Sequence, residues 1–563
     1  MPYNFIMGKL SHLKTLPAWL ILAFTATLLR FRIDLNSDTL LLDHLFTDLF
    51  TQGGRWAEWK FSTAPAFMPD MLLYLLAFPL LPDAASRILA VSVIQVFLLA
   101  GALLWCARQI RPTLSVTGAN AILLLLALFT LTSANSRMWL YFYSTNNHLA
   151  SVLFGLTGVG LILRYLARPQ KLSAALLVAG GAFGAVSTGL FMLSFTVPVL
   201  LLLGLAWLAL GDADGPLREQ RRRVLHLAAM VAGAQVLGRL LGKLLVANVA
   251  REGKVQTSPE TAGTALRNFL QAIKTAFAPD NPLTLACAVL VLLALLLLAW
   301  RLLRAAKLGH NGLVIAKPDW RFGAAAAVLA AGMLVHLPGV ILSGGFADQY
   351  AMRYLAFPFA LALLLCVVHG DRTLAAAASA GSPSAPTRRR PLAVLAPWGL
   401  VVLGTMLVAD GARLVLRAPP PFIDASAIAA NCLTRIEHAG FPLRAGIASF
   451  WNGRGLQYAL PHHNPMLVTD NRLAPFFHMA TLGPVQRPQD YPGHVYNFAV
   501  LYGAAQPVDP EYTAATMRDV LPPPVRIEAC GDGRLEIWLY QDASLDRAVK
   551  QAGAAYLAGR KRR

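Results

Sequence analysis

The sequence predicts a mainly α-helical, polytopic bundle of membrane-spanning helices with a small α/β domain at its C-terminal end. Three observations lead there. Long apolar runs recur between residues 14 and 412. Only 14% of the 563 residues are charged, against about 25% in soluble globular chains, and the mean hydropathy is +0.53. After about Pro419 no run is long enough to cross a bilayer, and shorter stretches of helical and strand character take over.

Crossing a bilayer takes roughly 20 apolar residues. Runs of that kind lie near 14–30, 86–107, 114–133, 149–166, 172–188, 190–210, 224–247, 282–304, 322–343, 353–369 and 392–412, about eleven spans by this length rule. The first run has no small-residue cleavage site and reads as a signal anchor. Basic residues set the direction. With Lys9 and Lys14 inside, the clusters around Arg108, Arg164, Arg218, Arg301 and Arg388 to Arg390 all fall on that side. The outer side then holds 31–85, 134–148, 248–281, 344–352 and everything after about 413. This alternation requires that Phe67 to Leu81 does not cross. That run has about 15 apolar residues broken by prolines, short for a span, and reads as an interfacial or re-entrant helix. Gly370 to Pro391 is small, flexible and basic, a cytoplasmic linker. No internal repeat is visible.

The chain therefore divides into a membrane part, 1–417, whose first outer loop (31–85) carries juxtamembrane helices, and an outer α/β domain, 418–563. In the latter SAIAANCLTRIEHAG reads as a helix, and LRAGIASFW, HVYNFAVLYG and GRLEIWLYQ contain strands. Cys432 and Cys530, near its two ends in an oxidising compartment, predict a disulfide. Net charge is +20. It reads as positive-inside loops; nucleic-acid binding is excluded because no basic soluble domain exists to carry it.

The residues with chemical potential lie in the outer loops. Asp34, Asp38, Asp43 and Asp48 crowd the start of the first loop, and Trp56 and Trp59 follow. A helix from about Ser37 to Phe50 would lay its leucines on the membrane and hold the carboxylates at headgroup depth; equally, Asn36, Ser37 or Asp38 could be its N-cap. In the second loop Arg137, Asn147 and His148 sit at the top of a span, as hydrogen-bonding interface residues or as a sugar- or phosphate-facing group. Arg239 and Lys243 are four apart, hence on one helix face, where such charges either face a cavity or snorkel to the interface. Arg251 extends this positive patch. Arg353, before Tyr354, begins a late span, and a guanidinium can grip phosphate through two oxygens. Trp451, Tyr458, Tyr491 and Tyr496 either stack on sugar rings or fill the core. There is no Walker loop, no HExxH and no metal-spaced His/Cys cluster; His462-His463 reads as a loop pair, no metal site is predicted, and dependence on a divalent metal stays open.

The layout resembles the GT-C class of membrane glycosyltransferases, in particular the protein mannosyltransferase and aminoarabinose transferase group. LNSDTLLLDH holds the position of the class's juxtamembrane acidic motif, PAFMPDMLLYLLAFPLLPDAASRILAV that of its Pro-rich helix, and DQYAMRYLAFP that of its late Arg-Tyr loop. Thr39 stands where a second acid is frequent, and Ala64-Pro-Ala-Phe-Met-Pro replaces a Lys-Pro-Pro step, which removes one phosphate contact. The resemblance implies an enzyme of the bacterial inner membrane, N-terminus cytoplasmic and C-terminal domain periplasmic, monomeric by default. Its donor, a lipid-linked sugar, would be a polyprenyl phosphate, and its acceptor a cell-envelope glycan or lipid. It implies Asp38 as general base, with Asp43 and then Asp34 behind it. Donor phosphate would fall to Arg353, Arg239, Lys243 and Arg251, and substrate contacts to Tyr354, Arg137, Asn147, His148, Trp56 and Trp59. Two other readings are a flippase for a lipid-linked glycan and a non-catalytic envelope scaffold.

Overall fold

A computed structural model of the chain describes residues 14–31, 33, 35–62, 64–136, 148–211, 216–246, 248–249, 258–276, 296, 307–309, 312–314, 320–346, 349–379, 390–417, 424–476, 480–503 and 509–561. Among these, six helices are long and apolar enough to cross a membrane. They are Ala84–Ile110, Leu149–Ala167, Met192–Ala209, Leu217–Leu245, Trp320–Leu342 and Arg353–Arg372. Leu16–Phe31 and Lys171–Ser187, read as spans, are shorter apolar helices, and the expected span 114–133 corresponds to the helix Val116–Ser136. The expected span 392–412 is part of the helix Arg390–Leu416, and 282–304 lies almost wholly outside the described residues. Phe67–Ala77, read as non-crossing, is a short helix whose first turn contains a cis Met68-Pro69 bond.

The loop 31–85 begins differently from the expected Ser37–Phe50 helix. Asn36 Oδ1 accepts the backbone N–H of Asp38 at 2.9 Å and of Thr39 at 3.1 Å, and Thr39 Oγ1 accepts the N–H of Asn36. This closed turn takes up the residues read as the helix start. The helix, α1, runs Leu41–Thr51 and buries Leu41, Leu42, Leu45 and Phe46. Asp83 caps the following span, α2 (Ala84–Ile110), through the N–H of Ser86 at 2.9 Å.

Within the bundle α3 (Lys171–Ser187) packs closely on α4 (Pro216–Leu245). Small residues make this possible, as expected where neighbouring helices gain no hydrophobic drive over lipid. A methyl group added at Gly238 would stand 2.5 Å from the carbonyl oxygen of Ala182 and 2.6 Å from the Ala185 Cβ. Elsewhere rings use the same device: the edge of Phe195 fills the space beside Gly158, and Phe357 that beside Gly155.

The C-terminal part has its own apolar cluster, including Leu433, Ile447, Phe498, Ile537 and Leu545. Its five-stranded sheet has β1 (Ala445–Ala448) between β2 (Met466–Val468) and β3 (Tyr496–Tyr502), both parallel to it. Beyond β3, antiparallel β5 (Leu535–Leu539) and β4 (Arg526–Cys530) complete the order β2-β1-β3-β5-β4. All seven residues of β3 are buried, as befits a central strand. The helices α5 (Asp424–His438), α6 (Phe450–Ala459) and α7 (Ser544–Lys561) accompany it. The expected helix and three strands correspond to α5, β1, β3 and β5; β2, β4, α6 and α7 are additional to them. A disulfide joins Cys432 of α5 to Cys530 of β4, with Cα atoms 6.2 Å apart.

Gly238→Ala is expected to cost about 1–3 kcal/mol by forcing α3 and α4 apart, read as a lower melting temperature in detergent. Gly233→Ala is the control, since nothing lies within 4 Å of a Cβ there. Equal melting of the two variants would show that the α3–α4 seam has room to spare.

Candidate functional site

A carboxylate that leaves water must be paired or hydrogen-bonded, and the first outer loop shows where its acids go. Asp43 is 1% exposed. Arg87 Nη1 meets its Oδ1 at 2.7 Å, Tyr74 Oη donates to the same oxygen at 2.7 Å, and Tyr458 Oη donates to Oδ2. Arg87 comes from the first turn of α2 and also donates to the carbonyls of Leu81 and Pro82, with the Phe78 ring 4.2 Å away. Tyr458 comes from α6. Asp43 thus ties the loop to the bundle on one side and to the C-terminal part on the other.

Asp48, fully buried, joins two parts of the loop to the C-terminal part. Trp59 Nε1 donates to Oδ2 at 2.6 Å and Tyr491 Oη to Oδ1 at 2.8 Å. Burial pushes its carboxyl above the usual range, and the two donors hold it back. Glu58 receives Arg487 in a two-point grip, 2.7 Å from Nε and 2.8 Å from Nη2. Lys60, on the strand Trp59–Phe61, reaches Tyr556 of α7. That strand pairs with Ala480–Thr481 on one edge and Asn248–Val249 on the other, so the loop, the end of α4 and the C-terminal part share one small sheet. Trp56 Nε1 adds a bond to the carbonyl of Leu245 at 2.6 Å. Trp59, expected to face substrate, is wholly buried.

Asp38 is placed otherwise. It is half-buried at the turn before α1, opposite Arg454 of α6, a buried guanidinium whose charge Asp38 favours. Burial pulls Arg454 down to about 10, opposed by Asp38 and Tyr458, so it remains cationic at neutral pH. Its Nη1 donates to the carbonyl of Ser37 at 3.0 Å, and Ser37 Oγ donates to the carbonyl of Phe450. Beside it, burial drives the imidazole of His44 down to about 3, with Arg454 and His494 acting in the same direction; His44 is neutral and lies edge-on to Trp59.

A second polar cluster lies where the late loop meets the bundle. The guanidinium carbon of half-buried Arg353 is 5.2 Å from the Tyr354 ring centre. Tyr354 packs edge-on to His148 at 5.0 Å, and His148 Nδ1 is 3.1 Å from Thr188 Oγ1. Arg353 and His336, the latter fully buried, are within electrostatic reach of His148. The first loop touches this cluster too: the N–H of Ala66 donates to the carbonyl of Ser187 at 3.0 Å, and that of Met68 to Ser187 Oγ at 2.9 Å. One loop therefore borders both clusters.

No protein-family model matches this chain, and no curated protein matches it in sequence. Among solved structures it is similar to the Archaeoglobus fulgidus oligosaccharyltransferase. Against the complex with zinc and sulfate the identity is 11% and the TM-score 0.44, over 86% of this chain and 67% of that one. Against the apo form the values are 12% and 0.45, over 86% and 69%. No residue of this chain is assigned by that similarity.

Of the other expected site residues, Arg239 and Lys243 are exposed on α4, with Arg239 Nη2 3.9 Å from Met192 Sδ. Asp34, Arg137, Asn147 and Arg251 lie outside the described residues. Sequence reasoning missed Arg454, Thr188 and His336, and gave Arg87 no role. Nothing local marks Arg454: its partner Ser37 is 417 positions away. Arg87, one turn into a span that follows an acidic loop, was the legible one.

Arg87→Met is expected to destabilise by about 3–5 kcal/mol, because it strands a buried carboxylate; Arg87→Lys should recover part of the loss. Thermal melting in detergent reads both. A Met variant that melts with the parent would mean that Tyr74 and Tyr458 suffice for Asp43.

Proposed function

We propose that the protein is a membrane glycosyltransferase of the GT-C kind that moves a sugar from a polyprenyl-phosphate donor to a cell-envelope glycan or lipid. The observation that carries this reading is the single loop bordering both polar clusters, a carboxylate with Arg454 at one place and Arg353 with His148 and Tyr354 at the other. Glycosyl transfer from a lipid phosphate needs those two functions close to the membrane: a base for the acceptor hydroxyl and a cation for the leaving phosphate. The layout of the acidic loop, Pro-rich helix and Arg-Tyr loop supports the class. The basic loops support a bacterial inner-membrane topology with the N-terminus in the cytoplasm and 418–563 in the periplasm.

Asp38 is the base in this reading. Asp43 and Asp48 are spent on buried bonds to tyrosine, tryptophan and arginine, whereas Asp38 is half-buried and borders solvent. The carboxylate takes the proton of the acceptor hydroxyl as that oxygen bonds to the anomeric carbon. The bond from that carbon to the phosphate oxygen breaks, its electron pair leaves with the polyprenyl phosphate, and the configuration at carbon inverts. Arg353 stabilises the growing phosphate charge, and a planar guanidinium does so through two oxygens.

Asp38→Asn keeps the shape and removes the proton acceptor, so turnover should fall by about 10²–10⁴-fold in a protein that melts normally. Near-parental turnover in a purified assay with a polyprenyl-phosphate sugar would remove Asp38 as base. Arg353→Ala should weaken the dependence of initial rate on donor far more than on acceptor, and Arg353→Lys should restore it only in part. A change confined to acceptor dependence would place the late loop on the acceptor side.

A further inference from the structure

Arg454 belongs to the C-terminal part, yet every contact described for it concerns the first loop or its own helix. Its guanidinium is buried, stands 5.4 Å from the Phe450 ring centre, and donates to the carbonyl of Ser37, the residue before Asp38. The loop backbone lies directly on α6 here: a Cβ added at Gly455 would come within 2.8 Å of the Leu35 carbonyl oxygen. Ser37 Oγ ties the same turn to the carbonyl of Phe450. Within the turn, Asn36 and Thr39 hold the backbone of Asp38. The Asp38 backbone is thus fixed from both sides, by its own turn and by α6, and a buried cation sits beside its carboxylate.

We propose that Arg454 is a positioning residue for Asp38, so that the C-terminal part completes the reaction centre instead of serving as a separate binding module. This rests on Asp38 being the base. Burying a guanidinium is costly unless an anion or acceptors compensate it, and here the Ser37 carbonyl and the Asp38 carboxylate do so. The other titratable groups around the pair are His44 and Asp43 from the first loop, Tyr458 from α6 and His494 from the C-terminal part, with Arg87 behind Asp43. His44 is neutral, Asp43 is matched by Arg87 and two tyrosines, and the Arg454 guanidinium is within electrostatic reach of Asp38.

The test uses the full-length protein in detergent with Arg454→Gln and Arg454→Lys. With Gln, kcat should fall about 10–100-fold with little change in the KM for donor. Lys should recover kcat only in part, since an ammonium keeps the charge and loses the planar guanidinium's reach to the Ser37 carbonyl. A parental kcat with Gln, or a loss that appears as a raised KM for donor with kcat unchanged, overturns the proposal. Should Arg454→Gln fail to fold, Arg454→Lys is compared with Ser37→Ala, which cuts the tie to Phe450 and leaves the cation: a kcat loss in both with the KM for donor unchanged supports positioning, and parental kcat in both overturns it. A melting-temperature cycle of Arg454→Lys with Asp38→Asn separates this proposal from the function assigned above. Coupling between the two sites with an active Asp38→Asn sinks the assigned reaction and leaves the pair intact, whereas additivity with an inactive Asp38→Asn sinks the pair alone.

Discussion

The arrangement depends on what a buried carboxylate requires. Asp43 has left water almost completely, and its two oxygens are taken up by one arginine from α2 and two tyrosines, one from the Pro-rich helix and one from α6. Neither the bundle nor the C-terminal part could satisfy it alone. The bond set therefore makes three elements, distant in sequence, meet at one place. Asp48 repeats the device with Trp59 and Tyr491, and Glu58 repeats it with Arg487. Asp43, Asp48 and Glu58 each take a donor from the C-terminal part, so the loop is a seam between two hydrophobic cores.

A seam of this kind suits a reaction at the edge of a membrane. The turn at Asn36 to Leu40 is held by its own bonds through Asn36 and Thr39 and by α6 through Ser37. Anchoring by buried acids leaves the turn at Asn36 to Leu40 rigid, with Asp38 at its rim. The same loop continues to Ser187 and hence to the His148, Tyr354 and Arg353 cluster. In the proposed reading Asp38 and Arg353, of opposite charge, are then referenced to one framework. Their relation to each other rests on the small-residue contacts that let the helices beneath approach closely, such as Gly238 against Ala182.

The aromatic residues of the loop and of the C-terminal part illustrate how a side chain with a polar tip divides its work. Trp56, Trp59 and Tyr458 present rings to apolar neighbours, the Tyr491 ring lies against Arg487 and His494, and each gives a single donor to a carbonyl or carboxylate. Buried Tyr and Trp find such partners as a rule. Tyr458 holds its proton because burial and the neighbouring Asp43 both oppose its loss, which keeps the donor role fixed.

Much of this protein was determined by its sequence: a mainly helical membrane bundle, the acidic loop after the first apolar run, and the helix and strands around Cys432 and Cys530. These follow from composition, from runs of about 20 apolar residues and from periodicity, all properties of neighbouring residues. The number of spans was less legible: among the described residues six helices are long and apolar enough to cross, others are shorter, and 282–304 lies almost wholly outside them. Which aspartate is locked and which borders solvent was not legible at all. Asp38, Asp43 and Asp48 look alike in a row of leucines; only the placement of Arg87, Tyr458, Tyr491 and Arg454 tells them apart. Those partners lie tens to hundreds of residues away, and a carboxylate's role is decided by the donors and charges that reach it when water is removed, which is a property of the tertiary structure.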